Sequence, residues 1–217
     1  MPADDRATVS VAGTGSAGRP ADRAAATFVA EAVRESAAEA RSAAAGIAAA
    51  VIDALRAAGV ADADLRTAGL DMSPNWEHDG KRMIRNGFTV TNRVAVTVRD
   101  LESVGRVLDA GLAAGATGLD GVSFLLADEA AAAEEARRAA VADARSRALT
   151  IADALGGRLG PLRAIVEGAP VGPSPLRGAR MMAMAADAAP PTPVVPGRIE
   201  VTVTVTAEWD LLPVGLG

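Results

Sequence analysis

Cysteine and tyrosine are absent from this 217-residue chain, and histidine and lysine occur once each, at His78 and Lys81. Without cysteine there is no disulfide framework, no thiol nucleophile and no thiolate metal site. The redox compartment stays open, because a chain without cysteine folds in either. Aromatic residues make up only 2% of the chain although 50% is hydrophobic, so the core must be built from Ala, Val, Leu and Ile. No apolar run approaches the ~20 residues of a membrane span, and no transmembrane segment is expected. The N-terminus, Met1 to Arg6, is polar and lacks the apolar stretch of a signal peptide. The expected location is therefore cytoplasmic, or periplasmic if the chain has been trimmed. Basic charge is also in short supply. A net charge of -5 argues against a nucleic-acid partner held through its phosphates.

What the chain has in quantity is alanine at helical spacing. Between Asp22 and Ala58, apolar residues recur at Val33, Ala37, Ala40, Ala44, Ile47, Val51, Ala54 and Ala58. Alternating steps of three and four predict one helix face, widened by Ile52 and Leu55. Pro20 and Asp22 are start signals and Gly59 is a stop. A helix of this length would span roughly 50 Å. Its alanine face needs a neighbour that approaches closely.

Other elements follow from pattern. Thr8 to Ala12 alternates as a strand and Gly13 to Gly18 reads as a loop. Leu65 to Met72 is a second strand, Asp79-Gly80 a hairpin turn, and Phe88 to Val98 a third strand. Asp100 caps a helix with the face Leu101, Val104, Leu108 and Leu112, ended by Gly115. Val122 to Leu126 is a short strand. Asp128 caps a third helix, with Ala136, Ala140, Ala144, Ala148 and Leu155 along one side and Gly156-Gly157 as its stop. Glu134 with Arg138, and Asp143 with Arg147, have the favourable i, i+4 order. Leu159 to Glu167 and Ile199 to Thr206 complete the strands. The expectation is an α+β fold in one domain. It has a ferredoxin-like β-α-β-β-α-β core over 7–127, extended by α-β-β over 128–210, with long alanine-rich helices on a mainly antiparallel sheet. Gly168 to Gly197, rich in Pro and holding Met181, Met182 and Met184, is too long for a compact hairpin. It reads as a disordered excursion, or as an arm that orders against a neighbouring subunit through its methionines.

Few residues offer chemistry. Gly13, Gly15 and Gly18 match G-x-G-x-x-G between a strand and a helix, the placement of a dinucleotide site. However, Arg19 to Asp22 separates the glycines from the expected helix start, whose N-terminus should face the pyrophosphate. His78 lies near Glu77, Asp79 and Asp71, residue types that ligate metals, but neighbours on a strand point to opposite faces, which works against a metal site. Lys81 sits beside a polar turn rather than in a desolvated pocket. No nucleophile–histidine–acid arrangement is visible. Trp76 and Trp209 are isolated aromatics suited to packing or an interface.

Taken in order, several motifs resemble a known family. They are the Val9 to Gly15 opening, Pro20 to Asp22, Leu65 to Thr67, Gly87 to Asn92, Val98 to Leu101, Gly115-Ala116, Glu135 to Ala148, and Ala154 to Gly156. The chain resembles the SIMPL-domain family, also called DUF541, over about Thr8 to Glu167 plus the last strand. The resemblance implies a relative of bacterial periplasmic or envelope proteins tied to oxidative-stress tolerance, and of an animal adaptor that associates with a pelle-like kinase. It also implies self-assembly into ring oligomers. It carries over no catalytic residue and no cofactor. The expected function is a non-enzymatic, self-associating scaffold whose first partner is itself, with other proteins as a second class of partner. Trp76, Met181, Met182, Met184 and Trp209 are the interface candidates. The alternative is a nucleotide- or small-ligand-binding module using Gly13 to Gly18.

Overall fold

The computed structural model describes residues 7–78, 80, 82–168, 171–175 and 196–213. In chain order the elements are β1 (Thr8–Pro20), β2 (Arg23–Arg34), α1 (Ala37–Ala57), β3 (Leu65–His78), β4 (Met83–Val98), α2 (Val104–Ala113), β5 (Gly118–Leu125), α3 (Glu129–Ala154), β6 (Gly157–Glu167), β7 (Val171–Pro175) and β8 (Arg198–Pro213). The fold is α+β, with all strand pairing antiparallel and the strands in two four-stranded sheets. The chain divides into two compact units, one built on residues 21–125 and the other on 1–20, 126–178 and 197–217.

The unit of residues 21–125 is the β-α-β-β-α-β arrangement, with strand order β3-β4-β2-β5. Its first strand is β2. β1, expected in that role, pairs with β8 in the other sheet. The expected helix from Asp22 to Ala58 is thus corrected in its first third. Residues 23–34 are strand, and Val33, placed on the helix stripe, is exposed on β2. Alanine favours helix, but β2 is a central strand with partners on both sides, β4 and β5. Its even-numbered positions Ala24, Ala26, Phe28, Ala30 and Ala32 all point into the core. Sheet pairing and period-2 burial override propensity here.

The helix starts instead at a capping box. The Glu39 amide donates to Ser36 Oγ at 3.2 Å, and the Ser36 amide donates to Glu39 Oε2 at 3.4 Å. α1 then buries Ala40, Ala44, Ala48, Val51 and Leu55. α2 begins after a 3-10 turn at Leu101–Ser103 capped by Asp100, whose carboxylate accepts from the Glu102 amide. α2 buries Val104, Val107 and Leu108 and turns Gly111 toward Phe28, while Leu112, expected on its buried face, is exposed. A Cβ on Gly111 would lie 2.4 Å from the Phe28 ring. The absence of a side chain there lets the fully buried Phe28 sit under the helix.

The second unit is a sheet of order β1-β8-β6, with β7 also on β8, and α3 lies on it. β1 and β8 pair from Thr8↔Asp210 to Pro20↔Arg198. The residues expected to loop after Ala12 are therefore strand. α3 is capped by Asp128, which accepts from the Ala131 amide. It buries Ala132, Ala136, Ala140, Ala144, Ala148 and Ala152 completely. This is an i, i+4 ridge of methyl groups. Leu155, expected on that side, is the C-cap and is exposed. Beneath the ridge lie Val201, Val203, Val205 and Ala207 of β8, also buried. Part of the expected excursion from Gly168 to Gly197 is strand, since β7 pairs with β8. Residues 169–170 and 176–195 lie outside the described residues.

Candidate functional site

The glycine motif has a structural role in this fold. Gly13 and Gly15 are two residues apart on β1, so both face α3. A Cβ on Gly13 would come within 2.3 Å of the Ala140 carbonyl oxygen, and one on Gly15 within 2.2 Å of the Ala136 carbonyl oxygen. The glycines let helix backbone and strand backbone meet, and the space a phosphate would need holds the helix. Gly18 is exposed and its carbonyl accepts from Arg198 Nη2 at 2.5 Å. The clue was in the sequence. Val9, Gly13, Gly15 and Ala17 are buried at odd-numbered positions, as expected for the inner face of a strand.

His78 closes β3 opposite Met83, while Asp79 and Lys81 lie outside the described residues. Among the described residues no group of three His, Asp or Glu side chains could hold a metal ion. The two tryptophans part company. Trp209 is buried on β8, whereas Trp76 on β3 is 53% exposed. Met181, Met182 and Met184 lie outside the described residues.

Two surfaces of the 21–125 unit stand out. The first is the sheet face turned away from the helices. Here Arg93 bridges Asp71 at 2.7 Å and Asp120 at 3.1 Å, joining β3, β4 and β5. Thr91 Oγ1 donates to Glu31 Oε2 at 3.1 Å, and the Glu31 amide donates to Thr117 Oγ1 at 2.9 Å. Arg99 grips Asp64 through two bonds of 2.7 and 2.8 Å, and this holds the Asp64 carboxyl below its ordinary range. A shallow hollow of about 430 Å³ is lined by Ala25, Thr27, Arg66, Thr97, Asp120 and Ser123. Its charges are mostly neutralised in pairs, Asp120 with Arg93 and Asp64 with Arg99. Sequence reading missed this network, because its members are 22 to 86 residues apart and each looks like an ordinary surface polar group.

The second surface is the β3–β4 hairpin. Leu70, Met72, Trp76, Met83 and Ile84 are each about half exposed or more. Arg85 lies 5.2 Å from the centre of the Phe88 ring. Among the described residues β3 pairs only with β4, and no strand lies along its other edge. A surface of this kind can bind apolar groups and backbone.

Residues 9–209 match the family model SIMPL, described as a protein of unknown function (DUF541). The chain belongs to the SIMPL family. It is similar to the 26 kDa periplasmic immunogenic protein of Brucella abortus (strain S19), with 32% identity over 169 residues, covering 74% of this chain and 67% of the relative. It is also similar to the uncharacterized protein YggE of Edwardsiella ictaluri, with 30% identity over 159 residues, covering 72% and 66%. YggE of Escherichia coli (strain K12) is 32% identical over 132 residues, covering 60% of this chain and about half (52%) of that relative. The SIMPL resemblance seen in the motifs is thereby established. The expected cytoplasmic location is overturned, because the Brucella relatives are periplasmic proteins by name.

Proposed function

We propose that this SIMPL protein is a periplasmic, non-enzymatic scaffold that works by associating with itself. The observation that carries the reading is the apolar end of the β3–β4 hairpin, where Trp76, Met83 and Ile84 stand exposed. Large apolar side chains grouped on one projection are characteristic of an interaction surface. The periplasmic part of the reading is supported by the names of the Brucella relatives, and a link to stress tolerance by the family resemblance. Binding of a nucleotide at Gly13 to Gly18 is disfavoured by the helix packed on those glycines.

Light scattering on the full chain is the test. At micromolar concentration the wild type is expected to have at least twice the 21.8 kDa chain mass, and Trp76→Glu is expected to lower it. A monomer at those concentrations overturns the reading.

A further inference from the structure

The first half of β3 carries a more specific inference, which rests on the self-association reading. Among the described residues β3 is the outer strand of its sheet. From Arg66 to Ser73 every residue but the partly covered Gly69 is exposed, Leu70 at 61% and Met72 at 59%. Free strand edges are usually blunted by proline, bulges or charge. Here Pro74 and the register shift between Pro74 and Trp76 interrupt the second half, while the first half carries one register shift, between Thr67 and Gly69, and two charges, Arg66 and Asp71. From Gly69 to Ser73 the strand runs without proline or register shift, which leaves a continuous backbone edge carrying Leu70 and Met72 for pairing.

We propose that this edge pairs antiparallel with the same edge of a second copy of the chain, joining two four-stranded sheets into one of eight. The match is written in the strand itself. Leu70 and Met72 lie on the helix-covered side, opposite Asn92 and Val90 of β4. Arg66 and Asp71 lie on the other side, opposite Ala95 and Thr91. They share that side despite their odd spacing because the register shifts between Thr67 and Gly69. With Leu70 on the two-fold axis, each Leu70 meets its own copy and Met72 extends the apolar contact along the seam. On the opposite side Gly69 falls across from the second copy's Asp71. Arg66, the next residue on that side, is then diagonal to the same carboxylate and within a long side chain's reach. Arg66 makes no ion pair among the described residues, so the second copy supplies its missing partner. A partner of another kind would have to reproduce both the apolar pair and the acidic position. A second copy brings them by symmetry.

Because the chain has no cysteine, one substitution tests the geometry directly. Residues facing each other across an antiparallel pair have Cα atoms about 4.5–5.5 Å apart, within disulfide range. In the full chain, Leu70→Cys is expected to give a covalent dimer on mild oxidation that reduction reverses, while the equally exposed Leu155→Cys remains single. Leu70→Lys is expected to lower the solution mass at least twofold, with Leu155→Lys unchanged. If the wild type is assembled but both Leu70 variants behave like their Leu155 controls, the edge pairing is wrong and self-association stands. A monomeric wild type sinks both.

Discussion

The backbone amide of Thr14 donates to Asp143 Oδ2 at 2.9 Å, joining β1 to α3 across 129 residues of chain. β1 is an outer strand, and the helix carboxylate satisfies an amide that its sheet leaves unpaired. The same carboxylate receives Arg147 Nε at 3.0 Å. The Thr14 amide first, and Arg147 second, hold the Asp143 carboxyl below its ordinary value. Arg137 does the same for Glu167, and Arg99 for Asp64. Folded values below the unfolded ones stabilise the protein fully above the ordinary carboxylate range. That contribution is lost as pH falls through the depressed values. Urea midpoints should hold level near neutrality and fall steadily below about pH 4. Asp143→Asn should lower the midpoint at pH 7 and flatten the acid slope. An unchanged slope would remove this carboxylate from the account.

The approach of α3 to β1 sets a sharper expectation. Gly15→Ala places a methyl group 2.2 Å from the Ala136 carbonyl oxygen, and the obstacle is backbone. Overpacking of this kind costs about 3 kcal/mol or more. Gly46 is the contrast. It lies within α1 with nothing within 4 Å of its virtual Cβ, so Gly46→Ala should stabilise by about 0.5–1 kcal/mol. Chemical denaturation of the two variants should show opposite signs.

Ser36 is expected to matter out of proportion to its exposure. Replacing it with alanine removes one arm of the capping box and should cost about 1 kcal/mol. Calorimetry on Ser36→Ala and Ser36→Asp separates cap from side-chain bulk. Aspartate should retain most of the stability.

Arg93 makes two ion pairs, yet Asp71 and Asp120 are both well exposed. Solvent screens such pairs, so Arg93→Met should cost no more than about 1 kcal/mol. A much larger loss of stability would mean that the pairs are far less screened than their exposure suggests.

Much of the architecture could be read from pattern, and the exceptions have physical causes. β8 announced itself through Ile199, Val201, Val203 and Val205 alternating with polar neighbours, and α3 through its alanines at every fourth position. β2 was hidden because alanine carries a helix bias and little hydrophobic contrast. Only Thr27, Phe28 and Val29 hinted at strand, while Ser36 with Glu39 marked the true helix start. The glycines of β1 resembled a phosphate loop because a short list of spacings serves two purposes: admitting an anion and admitting a helix. Trp76 emerged as a surface residue and Trp209 as a core one, a difference that composition alone cannot carry. The pairing across Arg93 depends on register, which no local window contains.

β1 pairs along its whole length, Thr8 to Pro20, with β8, the last of the described strands. During synthesis the sheet they share must wait for residues beyond 198, whereas everything between 21 and 125 is complete long before. Emergence of the chain from its N-terminal side, at a ribosome or a translocon, therefore imposes an order, with residues 21–125 able to collapse early and the β1–β8 sheet closing only at the end. A ribosome stalled before the final strand would release a product whose opening residues have nothing to zip against.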